Sequence, residues 1–159
     1  MDNRATVNEL FSAIADSLGF QVVLGSNNLC NIRLKSTGKE YVVELPHNGD
    51  TLHLYAALTD LPFDYREKVF EYALKLNLHG IETSCAAIAI DERSHKFILS
   101  RAVSVEGLTD TLLLKVINEF FTTVPKIEEK LMQFSQSCAQ DTASAPGQFG
   151  TPELNMLML

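Results

Sequence analysis

Between residues 29 and 58 the chain alternates apolar and polar side chains in three short runs, which limits the folds open to it. The runs are 29–34, 41–45 and 52–58, and turns at 35–38 and 46–50 separate them. Successive side chains of a β-strand point to opposite faces of a sheet, so each run indicates a strand. Such short connections predict an antiparallel meander. The side chains that share one face are Cys30, Ile32, Leu34, Tyr41, Val43, Leu45, Leu52, Leu54, Ala56 and Leu58.

A helical pattern precedes this meander. Thr6 and Glu9 have the spacing of a capping box, in which each side chain satisfies a free backbone N–H at a helix start. Apolar residues then recur at helical spacing, and Gly19 provides the stop. The residues at 20–24 predict a short strand before the first turn.

The second half of the chain repeats helix and strand signals. Asp64 is the expected cap of a second helix, which Gly80 ends. Apolar runs at 85–90 and 96–103 predict two more strands, and a last helix with one long apolar stripe starts near Thr109. The predicted fold is therefore α+β, in the order α-β-β-β-α-β-β-α, with a twisted antiparallel sheet flanked by helices.

The composition changes near Gln136. Serine, alanine, glutamine, glycine and proline dominate from there, and such a stretch buries too little apolar area to offset the entropy lost on ordering. We therefore expect a folded domain over 1–136 and a flexible C-terminal tail over 137–159. The tail turns apolar again at 154–159, so it could itself be a weak ligand for an apolar groove.

Charge and cysteine content exclude several partners and sites. Thirteen Lys and Arg against twenty Asp and Glu give a net charge of −7, the wrong sign for binding nucleic acid or anionic membranes. The first residues lack the pattern of a signal peptide, and no apolar run is long enough to insert into a membrane. Cys30, Cys85 and Cys138 are too widely spaced for a metal or redox pair. We expect a reduced cytosolic protein in which Cys30 and Cys85 are buried.

Motifs for catalysis or cofactor binding are missing from the sequence. It contains no glycine-rich phosphate loop and no nucleophile elbow, and its four histidines form no zinc-binding pattern. The sequence therefore predicts a protein that is not an enzyme and that uses no cofactor or metal.

Four short motifs, in order, resemble the class I type III secretion chaperones, the Tir chaperone family. The first is Asn-Leu-Cys-Asn-Ile-Arg-Leu at 28–34, similar to an early turn and strand of that family. The stretch at 52–58 followed by Leu61-Pro62 resembles its third strand and the approach to its second helix. The Asn-Leu that ends 73–78, and the small-residue strand with an acidic turn at 87–92, complete the likeness over about residues 5–135.

The resemblance implies a function in protein binding and not in catalysis. Such a protein is a bacterial cytoplasmic homodimer that binds the N-terminal region of a secreted effector and keeps it extended and competent for export. Contact with the export apparatus is a further implied role. An added strand at an open sheet edge, with its side chains in apolar pockets, gives a physical basis for that binding. The candidate effector-binding residues, on the first helix and strands, are Val7, Phe11, Ile14, Val22, Leu24, Ile32 and Leu34.

The second helix and the strand after it are the candidate dimer interface, because small side chains there permit close approach of a second chain. The residues are Val69, Phe70, Ala73, Leu74, Ala86 and Ile88. Two alternatives stay open at this point. One is an α+β module that binds a small ligand or a signalling partner, and the other is an enzyme whose site assembles from His53, Tyr55 and Asp91.

Overall fold

The computed structural model describes residues 3–47 and 49–143. These residues form three α-helices: α1 (Asn3–Leu18), α2 (Arg66–Leu76) and α3 (Asp110–Ala143). They also form five strands: β1 (Leu29–Arg33), β2 (Glu40–Glu44), β3 (Thr51–Asp60), β4 (Ala87–Asp91) and β5 (Lys96–Ser104). A short 3₁₀-helix at Leu78–Gly80 follows α2. The order α-β-β-β-α-β-β-α confirms the predicted fold class.

The five described strands make one antiparallel sheet in the order β1-β2-β3-β5-β4. Its central strand, β3, alternates between buried and half-buried side chains along almost its whole length. The buried side chains share one apolar cluster with residues of α1, α2 and α3, whereas the opposite face of the sheet stays partly exposed. The meander predicted from the period-two runs is therefore present, and one face of it carries the core.

Helix α3 is the principal partner of the sheet. Its Leu113, Ile117, Phe120, Val124 and Ile127 are almost fully buried and follow the predicted stripe at spacings of three and four. The helix starts one residue after Thr109, whose hydroxyl accepts a hydrogen bond from the Leu112 N–H at 3.2 Å. The predicted start of this helix is confirmed.

The region of α1 differs from the sequence prediction in two respects. The described part of α1 begins at Asn3, so Thr6 lies within the helix and the predicted capping box is wrong. Residues 20–24 form no strand either. The side-chain amide of Asn8 accepts a hydrogen bond from the Leu24 N–H at 2.8 Å and donates to the Leu24 carbonyl at 3.4 Å. A side chain of α1 thereby satisfies backbone groups that a strand neighbour would otherwise pair.

Two predictions around α2 also need correction. The residue before the helix is Tyr65, with a left-handed φ of 57°, and not the expected Asp64. Helix α2 ends at Leu76, before the 3₁₀-helix that contains Gly80. Cys85 is exposed, contrary to expectation, because it lies in the turn before β4 at a φ of 61° and not within the strand.

Helix α3 continues to Ala143, so the predicted boundary at 136 falls within it. The rest of the predicted tail, including the apolar stretch at 154–159, lies outside the described residues. Among the residues that are described, no helix is long and apolar enough to cross a membrane.

Candidate functional site

The outer edge of β1 offers unpaired backbone groups. On its inner side, the Asn28 carbonyl accepts from Leu45 N–H at 3.0 Å, and Leu34 N–H donates to the Lys39 carbonyl at 3.0 Å. Antiparallel pairing alternates along a strand, so residues 28, 30, 32 and 34 bond to β2 while residues 29, 31 and 33 point their N–H and C=O groups outward. Edge strands of this kind are templates for pairing with another chain.

The turn before β1 forms hydrogen bonds with only the first residue of that edge. Leu29 is satisfied, since its carbonyl accepts from Gly25 N–H at 3.0 Å and its N–H donates to Asn27 Oδ1 at 3.2 Å. Within the described residues, the Asn31 carbonyl meets only the Cys30 sulfur, at 4.0 Å, and no backbone bond closes Asn31 or Arg33. The open part of the edge is therefore the pair Asn31 and Arg33, which we call the β1 edge.

The opposite edge of the sheet, along β4, is blocked at its centre. Asn77, just after α2, donates to the Ile88 carbonyl at 3.1 Å and accepts from the Ile88 N–H at 2.7 Å. One side-chain amide thus takes the place of a neighbouring strand. The two edges are not equivalent, and the β1 edge is the more available to a partner.

Replacement of Asn77 by alanine should lower the free energy of unfolding by about 1–3 kcal/mol, because it leaves the N–H and the carbonyl of Ile88 without a hydrogen-bond partner. Chemical denaturation measures this effect. Asn118→Ala is the matched control, since Asn118 is exposed on α3, and it should change stability by no more than about 0.5 kcal/mol. Equal stability of the two variants would show that the Asn77 bridge does not hold α2 to β4.

The structure brings the seven candidate effector-binding residues into the same apolar cluster but covers most of them. Six are buried and Leu34 is half-buried, packed against the cluster. Those six are covered within the protomer because α1 and the helix-facing side of β1 must themselves supply core. Their sequence pattern is the same for a core face and for a groove. The six buried residues are Val7, Phe11, Ile14, Val22, Leu24 and Ile32.

The candidate dimer residues divide in a similar way. Leu74 is 69% exposed, and Phe70 is half-buried in an edge-to-face contact with Phe97 at 5.6 Å. The other four serve the core of the protomer, since their side chains have at most 7% of their surface exposed. These four are Val69, Ala73, Ala86 and Ile88.

Three further exposed apolar side chains, which were not predicted from the sequence, lie after α2 and on β4. Leu78 is 64% exposed and Ile81 is 78% exposed, both in the irregular segment after α2, and Ile90 is 43% exposed on β4. We call Leu74, Leu78, Ile81 and Ile90 the α2–β4 surface, since Asn77 joins these two elements. No periodicity marks apolar residues in such a segment, so only the unusual presence of Leu and Ile between turns could have signalled them.

The residues proposed for a catalytic site do not come together. His53 and Tyr55 stack on the partly exposed face of β3, with ring centroids 5.8 Å apart. Asp91 pairs with Lys96, which pairs with Asp60 at the far end of β3, seven residues from His53. At about 3.3 Å per residue this is roughly 23 Å, far beyond hydrogen-bond reach. Asp91 instead accepts from Arg93 N–H and Ser94 Oγ in its own turn, and these bonds lower the pKa of its carboxyl.

Two tyrosines of the sheet have a raised pKa. Burial, and then the nearby Glu44 carboxylate, raise the pKa of Tyr55. Burial, and then Glu128, raise the pKa of Tyr41, whose ring packs against Phe121 at 4.4 Å. Both phenols are therefore neutral at physiological pH.

The described cleft gives little support to the alternative that the protein binds a small ligand. A cleft of about 230 Å³ lies between the end of β3, α2 and α3, which is below the roughly 300–1,000 Å³ of sites for drug-sized ligands. Among residues 3–47 and 49–143, no group of three or more His, Cys, Asp or Glu side chains could hold a metal ion. Besides this cleft, the described residues offer an edge strand and exposed apolar side chains, and both suit a polypeptide partner.

Comparison with known proteins agrees with this geometry. The model of the Tir chaperone protein (CesT) family matches residues 9–127. No curated protein sequence matches the chain.

Several solved structures share its fold at low identity. The HopA1–SchA chaperone–effector complex contains a chain with 16% identity and a TM-score of 0.63, and the match covers 79% of this chain and 95% of that one. The type III secretion chaperone SycH of Yersinia pestis, solved with a fragment of YscM2, matches at 12% identity and a TM-score of 0.55, over 80% and 98% of the two chains. The ExoU–SpcU complex of Pseudomonas aeruginosa matches at 17% and 0.56, over 80% and 96%.

Proposed function

Since the chain belongs to the Tir chaperone (CesT) family, we propose that it is a secretion chaperone that binds the N-terminal region of a type III effector and keeps that region extended for export. It acts in the bacterial cytoplasm, before its effector leaves. The role requires no chemistry, in agreement with the absence of catalytic motifs from the sequence. The fold is shared with chains from chaperone–effector complexes, which supports the same role.

The β1 edge carries this proposal. An effector segment that pairs with the outward N–H and C=O groups of Asn31 and Arg33 becomes a sixth strand beside the five described here. Pairing through the backbone holds a chain extended whatever its sequence, which is what an export-competent segment requires. Specificity then comes from alternate side chains of the effector that meet apolar residues beside the edge, such as Cys30 and Leu34, both half-buried.

The six buried candidate residues stay a prediction as effector contacts. They are covered within the protomer, so an effector touches them only where it displaces the side chains above them. Their direct role in this proposal is to hold α1 and β1 in place. Leu34 is the one candidate that an added strand can reach without any rearrangement.

We further propose that the protein is a homodimer through the α2–β4 surface. Large apolar side chains that are 43–78% exposed make a patch that water solvates poorly, and a second copy of the same patch would cover it. The half-exposed candidate Phe70 and the exposed Leu74 are the part of the predicted interface that remains available. A stable interface buries about 1,200–2,000 Å² in total, so further residues of α2 and β4 must take part as well.

Co-purification followed by mapping tests the proposed function. The tagged protein is isolated from bacteria that produce a type III secretion system, and the secreted protein that accompanies it is identified. The two halves of that protein are then expressed separately with the chaperone. We expect a complex with the N-terminal half only, in which the bound segment shows no thermal unfolding transition of its own. Binding to the C-terminal half alone, or to a folded domain, would contradict the proposal.

A further inference from the structure

We propose that the apolar segment at 154–159 of this chain docks intramolecularly into the cleft between β3, α2 and α3. The cleft measures about 230 Å³, and three of the side chains that line it are almost fully buried. Those side chains are Val69, Phe97 and Leu131. This inference concerns a surface apart from the β1 edge and does not depend on the proposed function.

Five of the nine side chains that line the cleft are apolar, and the other four, Thr59, Asp60, Ser135 and Gln136, are polar. Met132, which lines it, is 46% exposed, and Phe63, the next residue after the lining Pro62, is 96% exposed. A space of this size holds several waters, or a few aliphatic side chains in their place. Apolar side chains in the cleft would remove water from its five apolar lining residues, which favours them as occupants.

The segment at 154–159 is apolar, like the majority of the side chains that line the cleft. Five of the six residues at 154–159 are leucine or methionine. Methionine adapts to irregular apolar gaps because its side chain is unbranched and polarizable. Within the cleft these side chains would meet Met132 and the three buried side chains, while the polar lining residues, among them Ser135 and Gln136, remain available to the backbone of the segment.

The length of the connection matches the distance. From Ala143, the last described residue of α3, back to the cleft residues at 131–135 is about 12–18 Å along the helix at 1.5 Å per residue. Ten residues, 144–153, join the helix to the segment, and a coil of that length has a mean end-to-end distance of about 16–19 Å. Effective concentration is highest, in the millimolar range, when the mean length of a linker matches its span. A segment that binds in trans with a Kd of about 1 mM would thus occupy its cleft in about half of the molecules or more.

Docking in this cleft also leaves the α2–β4 surface accessible. Val69 lines the cleft, whereas Leu74 is exposed five residues later on the same helix. At about 100° per residue these two side chains lie about 140° apart around α2. The tail and a second copy of the chain therefore approach α2 from different sides.

Methionine methyl NMR of the full chain tests the inference, because the four methionines are Met1, Met132, Met156 and Met158. We expect cross-peaks between the Met132 methyl and that of Met156 or Met158, unchanged on dilution. Leu157→Asp together with Leu159→Asp should remove these cross-peaks and move the Met132 signal to its position in a chain that ends at Ala143. Gln148→Asp, which adds a charge to the linker only, is the control and should leave them in place.

Two results would overturn the proposal. One is a Met132 signal that is the same in the full chain and in the chain that ends at Ala143. The other is cross-peaks that weaken on dilution, or that form between separately labelled molecules, since the occupant would then be a second copy. In the supporting case, a peptide of residues 154–159 added to the shortened chain shifts Met132 with a millimolar Kd.

Discussion

Leu74→Glu combined with Ile81→Asp should convert the proposed dimer of two 17.6 kDa chains to a monomer at micromolar concentration. Each substitution occurs twice in a symmetric interface, and each places a charge where an apolar side chain would be buried. Burial of one such side chain contributes about 1.5–3 kcal/mol. Even at half that value the dimer loses about 4 kcal/mol, a rise in its Kd of about a thousandfold.

Analytical ultracentrifugation of wild type and variant measures this change. Leu112→Glu is the control, because Leu112 is 44% exposed at the start of α3, outside the α2–β4 surface. Thermal unfolding should show that all three proteins remain folded, since Leu74 and Ile81 are 69% and 78% exposed in the protomer. A double variant that sediments as a dimer, or a wild type that sediments only as a monomer, would disprove this interface.

Asn31→Pro should weaken effector binding by about ten- to a hundredfold while the protein stays folded. The Asn31 N–H points away from β2, so proline removes no bond of the sheet and is tolerated on an edge strand. An added strand, in contrast, loses the N–H and meets the proline ring. The lost N–H leaves one carbonyl of the effector without its partner, at a cost of about 1–3 kcal/mol, which accounts for the expected change in affinity.

Asn31→Ala is the matched control for this variant, because it removes the same side chain but keeps the N–H. Calorimetric titration with the N-terminal half of the effector should give an affinity within about twofold of wild type, since surface changes of this kind usually cost under 0.5 kcal/mol. If the proline variant binds as well as the alanine variant, the effector does not use the β1 edge.

Most of the fold could be predicted because it follows from the spacing of apolar residues between near neighbours in the sequence. In β1 to β3 every second residue faces the core, and in α3 every third or fourth residue does. Both repeats can be read directly from the order of apolar residues. The predictions that failed concern single backbone positions. The strand expected at 20–24 is absent because Asn8 pairs with Leu24, and no local signal announces a contact across sixteen residues.

The candidate sites were harder to predict, for a physical reason. A buried core face and an exposed docking face have the same apolar periodicity, so Phe11 and Ile32 look alike in either role. The exposed Ile81 belongs to no periodic element, and the blocked edge of β4 depends on one amide, that of Asn77. Which strand edge is open is decided by the pairing of the whole sheet, and this becomes visible only in three dimensions.

Hydrogen exchange at the Asn31 and Arg33 amides is the most direct test of effector capture at the β1 edge. Both N–H groups should exchange rapidly in the free chaperone, whereas that of Ile32, which faces β2, should be protected. On addition of the N-terminal effector segment, we expect the exchange of Asn31 and Arg33 to slow at least tenfold while Ile32 is unchanged. A saturated complex in which Asn31 and Arg33 exchange as fast as in the free protein would contradict the account.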